Sequence, residues 1–199
     1  MISLEAVTSL HRDCIARWHQ QAIDNPHDGF LHVACEQLSY NFRLWHEEDK
    51  ARSPSASDAE IAQVKRVIDR LNQQRNDWIE RLDDWITEEL GRRHVFTAAT
   101  APQNTETLGS TIDRLSILAL RIYHLIEQLD RTDASAEHRE GVNRKLAIAR
   151  VQHDDLTRAA QQLADDLFAG RKRHKTYRQL KMYNDPSLNP YLYQAGQKK

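Results

Sequence analysis

The residues of this chain that could do chemistry stand at positions where apolar side chains would be expected. At 100° per residue, Asn72 and Arg75 fall within the helical stripe of Ile61, Val64, Ile68, Ile79, Leu82 and Ile86. Gln37, Asn41 and Glu48 likewise share a face with Phe30, Val33, Ala34, Leu44 and Ala51. An unpaired amide in a core costs on the order of 1–3 kcal/mol and an unpaired guanidinium more, so these groups must find partners. Two arrangements meet that requirement. In one, the polar groups form a layer that fixes helix register. In the other, they line a pocket in which Arg75 meets a phosphate or carboxylate bidentately, and the amides, Asn76 among them, orient the rest of the ligand.

A second candidate is His153, set in a stripe that steps by four and three through Val142, Leu146, Ala149, Leu156, Ala160, Leu163 and Leu167. If its helix and the preceding one form a hairpin with facing numbers that sum to about 267, His153 lies level with Asp113 or Arg114. A carboxylate that orients an imidazole makes a competent general base, so Asp113 and His153 are the candidate catalytic pair. The bland alternative is a histidine satisfied within the core. A metal centre is disfavoured: Glu48 points into its stripe while His46 projects roughly 160° away, and neither neighbouring helix carries a Glu-x-x-His pair. The sequence has no P-loop, G-x-G-x-x-G, Cys-x-x-Cys or G-x-S-x-G motif, so no cofactor is indicated and no reaction is named.

Charge is unevenly placed. Residues 171–199 sum to +7 and the first 170 to −8, although the whole chain is only −1. A body of that sign repels a long phosphate backbone, so nucleic acid is disfavoured as a partner and a compact phosphate-bearing molecule is favoured. The basic run from Arg171 to Lys181 carries Tyr177 within it, and Tyr183 and the turn Asn184-Asp185-Pro186 follow. Tyr177, Lys181, Tyr183 and Asn184 are therefore expected to order against the body as one wall of the pocket.

The elements that must position these groups are helices. Only eleven residues are Gly or Pro, and no period-2 run recurs. The patterning predicts helices over about 2–23, 30–52, 58–90, 110–131 and 136–169, a short helix over 172–182, a long loop at 91–109 and a tail at 183–199. Ser57 and Glu60 form a capping box, and Gly170 is a C′ stop. The fourth helix, apolar on nearly every side, belongs at the centre, with Leu115, Ala119, Ile122, Leu146, Leu156 and Leu163 buried. The second and third helices should form a hairpin whose facing numbers sum to about 110, which sets Asn72 and Arg75 level with Leu38 and Cys35. Cys14 and Cys35 read as two buried thiols, and the absence of a leader or an apolar run reads as a cytoplasmic chain with no membrane insertion. A homodimer is one expected assembly.

Four stretches carry a family resemblance: Leu44 to Arg52, Asn72 to Asp77, Asp113 to Leu118 with Ile122-Tyr123-His124, and Lys181 to Pro186. The chain resembles the bacterial DUF4254 family, whose function is not established. Leu108 departs from the pattern, which has Pro before Gly109. The resemblance implies an association with glycosyltransferase and cell-surface polysaccharide genes and assigns no catalytic residue. The leading expectation is thus an all-α, single-domain antiparallel bundle of five main helices with a basic tail packed on it. Its polar pocket would bind, or process, a phosphorylated or nucleotide-sugar-like molecule. The alternative is a non-catalytic accessory or scaffold protein, oligomeric, whose polar core only sets register.

Overall fold

A computed structural model describes residues 2–182 and 185–195. The five main helices are α1 (Leu4–Trp18), α2 (Gly29–Ala51), α3 (Asp58–Arg92), α4 (Leu108–Asp130) and α5 (Ala136–Phe168), and a short α6 (Pro190–Ala195) lies in the tail. No strand occurs among the described residues; the only sheet-like pairing is an isolated bridge between Gln103 and Arg173. The starts follow side-chain chemistry. Ser3, Ser57, Thr107 and Ser135 each accept a backbone N–H from the first turn they cap, and Ser57 with Glu60 closes the expected capping box. Gly170 ends α5 with φ +69°, a conformation that a Cβ would strain.

Two antiparallel hairpins, α2–α3 and α4–α5, pack around α4, which touches each of the other four main helices. The largest core cluster draws Leu4 and Val7 from α1, Ala34 from α2, Leu82 and Ile86 from α3, Ile112 and Leu115 from α4, and Leu163 and Leu167 from α5. A second cluster joins α1, α2 and α4 through Cys14, Trp18, Leu38, Phe42 and Leu120. A third, of Leu44, Ile68 and Leu71, holds the outer half of the α2–α3 hairpin.

Of the residues expected in the core, Leu115, Leu146 and Leu163 are buried, whereas Ala119, Ile122 and Leu156 are half-buried. The reason on α4 is that α1 ends at Trp18 rather than near residue 23, so the C-terminal half of α4 loses cover and Ile126 is exposed. Leu108, at the first position of α4, is fully buried. The expected short helix over 172–182 is absent. That stretch is extended: Arg173 donates its N–H to the Pro102 carbonyl at 2.9 Å and its Nε to the Ala101 carbonyl at 2.9 Å, and His174 Nε2 lies 2.9 Å from the Asp83 carbonyl. Bonds to the loop and to α3 thus replace the local ladder that a helix would need.

Candidate functional site

The stripe-breaking polar residues meet at Asp113. Its Oδ1 accepts from Gln37 Nε2 at 2.6 Å, from Asn41 Nδ2 at 2.8 Å and from Arg75 Nε at 2.7 Å, while Arg75 Nη2 donates to Oδ2. Asn41 Nδ2 also donates to Ser116 Oγ at 2.7 Å, and that hydroxyl donates to the Asp113 carbonyl at 2.7 Å. Gln37, Asn41, Asp113 and Ser116 are all buried. A carboxylate so deep in the body would be costly alone; here α2 and α3 supply its donors. The hydrogen bonds and charge of Asp113 in turn hold the Arg75 guanidinium above its ordinary pKa, against the opposing effect of burial.

Arg75 meets Asp113 beside Gln37 and Asn41, residues near the level of Leu38 and Cys35 at which the expected register set Asn72 and Arg75, and a separate contact fixes the approach of α3 to α4. Gly109 N–H donates to Asp83 Oδ1 at 2.9 Å, so a buried carboxylate sits at the free amide end of α4. Burial pushes the Asp83 carboxyl up, and hydrogen bonds from Thr107 and Gly109 partly offset this. A Cβ at residue 109 would lie 2.8 Å from the Ile79 carbonyl oxygen, so only glycine admits so close a crossing. With the first turn of α4 held there, Asp113 comes within reach of Arg75.

Outside Arg75 the network opens into a cleft of about 350 Å³ between α2, α3 and α4. It is lined by Asn41, Leu44, Trp45, Glu48, Asp49, Arg52, Asn72, Arg75, Ile117 and Leu120. Glu48 and Arg52 pair with each other at 2.7 Å on its rim. The Arg75 side chain is 25% exposed, and its Nη1 makes no bond among the described residues. Gln37 Oε1 is buried without a hydrogen-bond partner among the described residues. A larger, more open groove of about 570 Å³ runs between α4 and α5 past Arg114 and Arg121, with none of the network residues on it.

Gln37, Asn41, Arg75 and Asp113 are therefore brought together, and Glu48 and Asn72 line the same cleft. Asn76 is half-buried on α3 and is not part of that lining. The tail runs elsewhere. Arg178 pairs with Glu80 at 2.9 Å and Asp84 at 2.7 Å, Gln103 donates to the Tyr177 hydroxyl, and Lys181 lies in a separate groove with Gln73 and Leu188. The acidic row of α3 holds the tail on another face of that helix, so Tyr177 and Lys181 form no wall of the cleft. Tyr183 and Asn184 lie outside the described residues.

Asp113 and His153 are not joined either. The Asp113 oxygens are taken by Gln37, Asn41 and Arg75, while His153 Nδ1 lies 3.6 Å from Asp154. His153 instead acts on His11, which is wholly buried, has no hydrogen-bond partner at either nitrogen among the described residues and is pushed down to about 3 by burial and then by His153. Two further groups have the composition of metal ligands: Cys14, His27 and Cys35, and His19, His46 and His124. The two thiols are reduced and buried, with Sγ atoms 3.8 Å apart. Neither group was visible as a motif, because each is assembled from residues on separate elements. The wheel does place His46 away from Glu48, which is the side where it meets the other two imidazoles.

An all-helical antiparallel bundle pinned by one buried carboxylate network is the class that fold and site define. The chain belongs to the DUF4254 family, described as a protein of unknown function, whose family model matches residues 31–176. The match spans Gln37, Asn41, Arg75 and Asp113; of the four stretches that carry the resemblance, Lys181 to Pro186 falls beyond it. No curated protein and no solved structure matches the chain. Among the described residues, no helix is long and apolar enough to cross a membrane.

Proposed function

We propose that the cleft between α2, α3 and α4 binds a small phosphate- or carboxylate-bearing molecule, with Arg75 as its anion contact. The observation that carries this reading is the way Arg75 is held. Asp113 fixes one edge of the guanidinium through Nε and Nη2, and the other edge, at Nη1, has no partner among the described residues, on a side chain that lines the cleft. A guanidinium oriented in this manner loses little further side-chain entropy when an anion docks. Asn72 and Asn41 supply neutral polar groups beside it, and Trp45 and Leu44 an apolar wall. At about 350 Å³ the cleft is at the small end of the range for ligand pockets, roughly 300–1,000 Å³. It suits a phosphorylated sugar or the diphosphate-sugar end of a nucleotide sugar, whose base would project past the rim. Such a ligand accords with the association with glycosyltransferase and cell-surface polysaccharide genes that the resemblance implies.

Thermal melting tests the reading. Inorganic phosphate, a sugar phosphate and a nucleotide sugar should each raise the melting temperature saturably, and Asn72→Ala together with Arg75→Lys should remove the effect. Equal upshifts in wild type and variant would overturn it.

A second reading is favoured by a different observation. Gln37, Asn41, Asp113 and Ser116 are buried and bonded to one another, which is what a register-setting layer requires. On that reading the chain is a non-catalytic accessory protein, and no anion changes its stability beyond the effect of ionic strength.

A further inference from the structure

His19 caps the end of α1, and its Nδ1 lies 2.7 Å from the Ile15 carbonyl oxygen. A carbonyl can only accept, so Nδ1 carries the proton and Nε2 presents a lone pair. His124, on α4, has Nδ1 2.5 Å from Glu127 Oε2 one turn further along, and the same logic leaves its Nε2 as a lone pair. Both Nε2 atoms are buried, and neither has a hydrogen-bond partner among the described residues. His46, from α2, completes the group: one ligand atom from each of the three rings lies within 4.8 Å of the others.

The rings are clamped by aromatic neighbours. His19 stacks on Tyr123 at 4.1 Å between centroids, Trp45 stacks on His124 at 4.8 Å, and Phe42 packs on His46 at 4.5 Å. Stacking explains the ring planes; it does not explain why two buried lone pairs converge without a donor, an arrangement that is costly unless something positive sits between them.

We propose that His19, His46 and His124 bind a divalent transition-metal ion of the zinc type, through Nε2 of His19, Nε2 of His124 and one ring nitrogen of His46. Neutral imidazoles suit zinc and its first-row neighbours rather than magnesium or calcium. Zinc–nitrogen bonds of about 2.0–2.1 Å place tetrahedral ligand atoms roughly 3.4 Å apart, so small ring rotations close the group on the ion. The outer partners are those that such sites use: a carboxylate behind His124 and a backbone carbonyl behind His19, each fixing the tautomer. Three protein ligands leave a fourth position for water or an exogenous ligand. Trp45, stacked on His124, also lines the cleft beside Arg75, so the ion would sit behind one wall of that cleft. The proposal does not depend on what the cleft binds.

The full chain, stripped with a chelator, is titrated with Co²⁺ by visible absorption and with Zn²⁺ by calorimetry. The expected result is a single saturable Co²⁺ site with tetrahedral-type absorption and no thiolate-to-metal band, displaced by Zn²⁺ and indifferent to Mg²⁺. His46→Gln and His124→Gln should abolish it, Glu127→Gln should weaken it about 10–100-fold, and Cys14→Ser with Cys35→Ser should leave it unchanged. A thiolate band that vanishes in the cysteine variant would move the ion to the other group and overturn the proposal, as would the absence of any saturable Co²⁺ spectrum. Should a histidine variant fail to fold, Glu127→Gln decides, because it keeps all three ligands: unchanged affinity overturns the proposal.

Discussion

Arg75 and Asp113, which are 38 positions apart in the chain, are joined along two edges, Nε to Oδ1 at 2.7 Å and Nη2 to Oδ2. This one contact ties α3 to α4 at the level where α2 contributes Gln37 and Asn41. Breaking it from either side leaves a charge stranded in the body. Arg75→Met should therefore lower the unfolding free energy by about 3 kcal/mol, the low end for a buried pair because Arg75 is partly exposed. Asp113→Leu should cost a similar amount. The double variant should recover part of the loss, since an apolar pair replaces the ion pair while the buried amides of Gln37 and Asn41 still lose their acceptor on Asp113. Urea unfolding of all four proteins checks this, and simple additivity of the two losses would refute the coupling.

The crossing of α3 and α4 makes a separate prediction. Gly109→Ala would bring a Cβ to 2.8 Å from the Ile79 carbonyl oxygen and 2.8 Å from Asp83 Oδ1. Backbone cannot swing away as a side-chain tip can, so a loss of at least about 2 kcal/mol is expected. Gly91→Ala, which meets nothing within 4 Å, serves as the control and should change stability little.

His11 sets a dependence on pH. Burial lowers its folded-state pKa from 6.5 to about 3, so the unfolded chain binds a proton that the folded chain refuses. Stability is complete above pH 6.5 and is lost progressively as pH falls toward 3. Between pH 7 and pH 5 this group alone should cost about 2 kcal/mol. His11→Leu removes the titration, so the difference in stability between wild type and variant should change with pH over that range. A constant difference would contradict the assignment.

The tail should be separable from the cleft. Arg178 binds Glu80 and Asp84 on the solvent side of α3, whereas Asn72 and Arg75 face α2 and α4. Truncation after residue 178 should leave any anion-dependent thermal upshift unchanged, and Arg178→Ala should speed tryptic cleavage at Lys181 while doing the same. Loss of the upshift on truncation would restore the tail as part of the site.

Much of this was legible in the sequence for a physical reason. Helices announce themselves locally, through stripes, caps such as Ser57 with Glu60 and stops such as Gly170, and a short connection between α2 and α3 fixes their register by arithmetic. Hence Gln37, Asn41, Asn72 and Arg75 were singled out and did converge on one region. The partner of Asp113 was not legible. The expected α4–α5 register set His153 level with Asp113 or Arg114, but a register says nothing of which way a side chain turns, and Arg75 approaches from a helix beyond a long loop. Asp83 was missed because its role is to meet the start of α4, a contact set by tertiary packing. His19, His46 and His124 share no helix and no spacing, and α1 ends at Trp18, five residues short of the end expected near residue 23, so their meeting had no linear signal.

The measurement closest to the central claim is the guanidinium resonance of Arg75 itself. With ¹⁵N-labelled protein, its side-chain N–H signals should be slow to exchange because Asp113 holds them. They should shift saturably on titration with a sugar phosphate or inorganic phosphate, and stay in place with chloride at equal ionic strength. Signals of Arg178, bound on the other face of α3, should not follow. If the Arg75 signals do not move, or move identically with chloride, Arg75 is no anion contact and the network serves the fold alone.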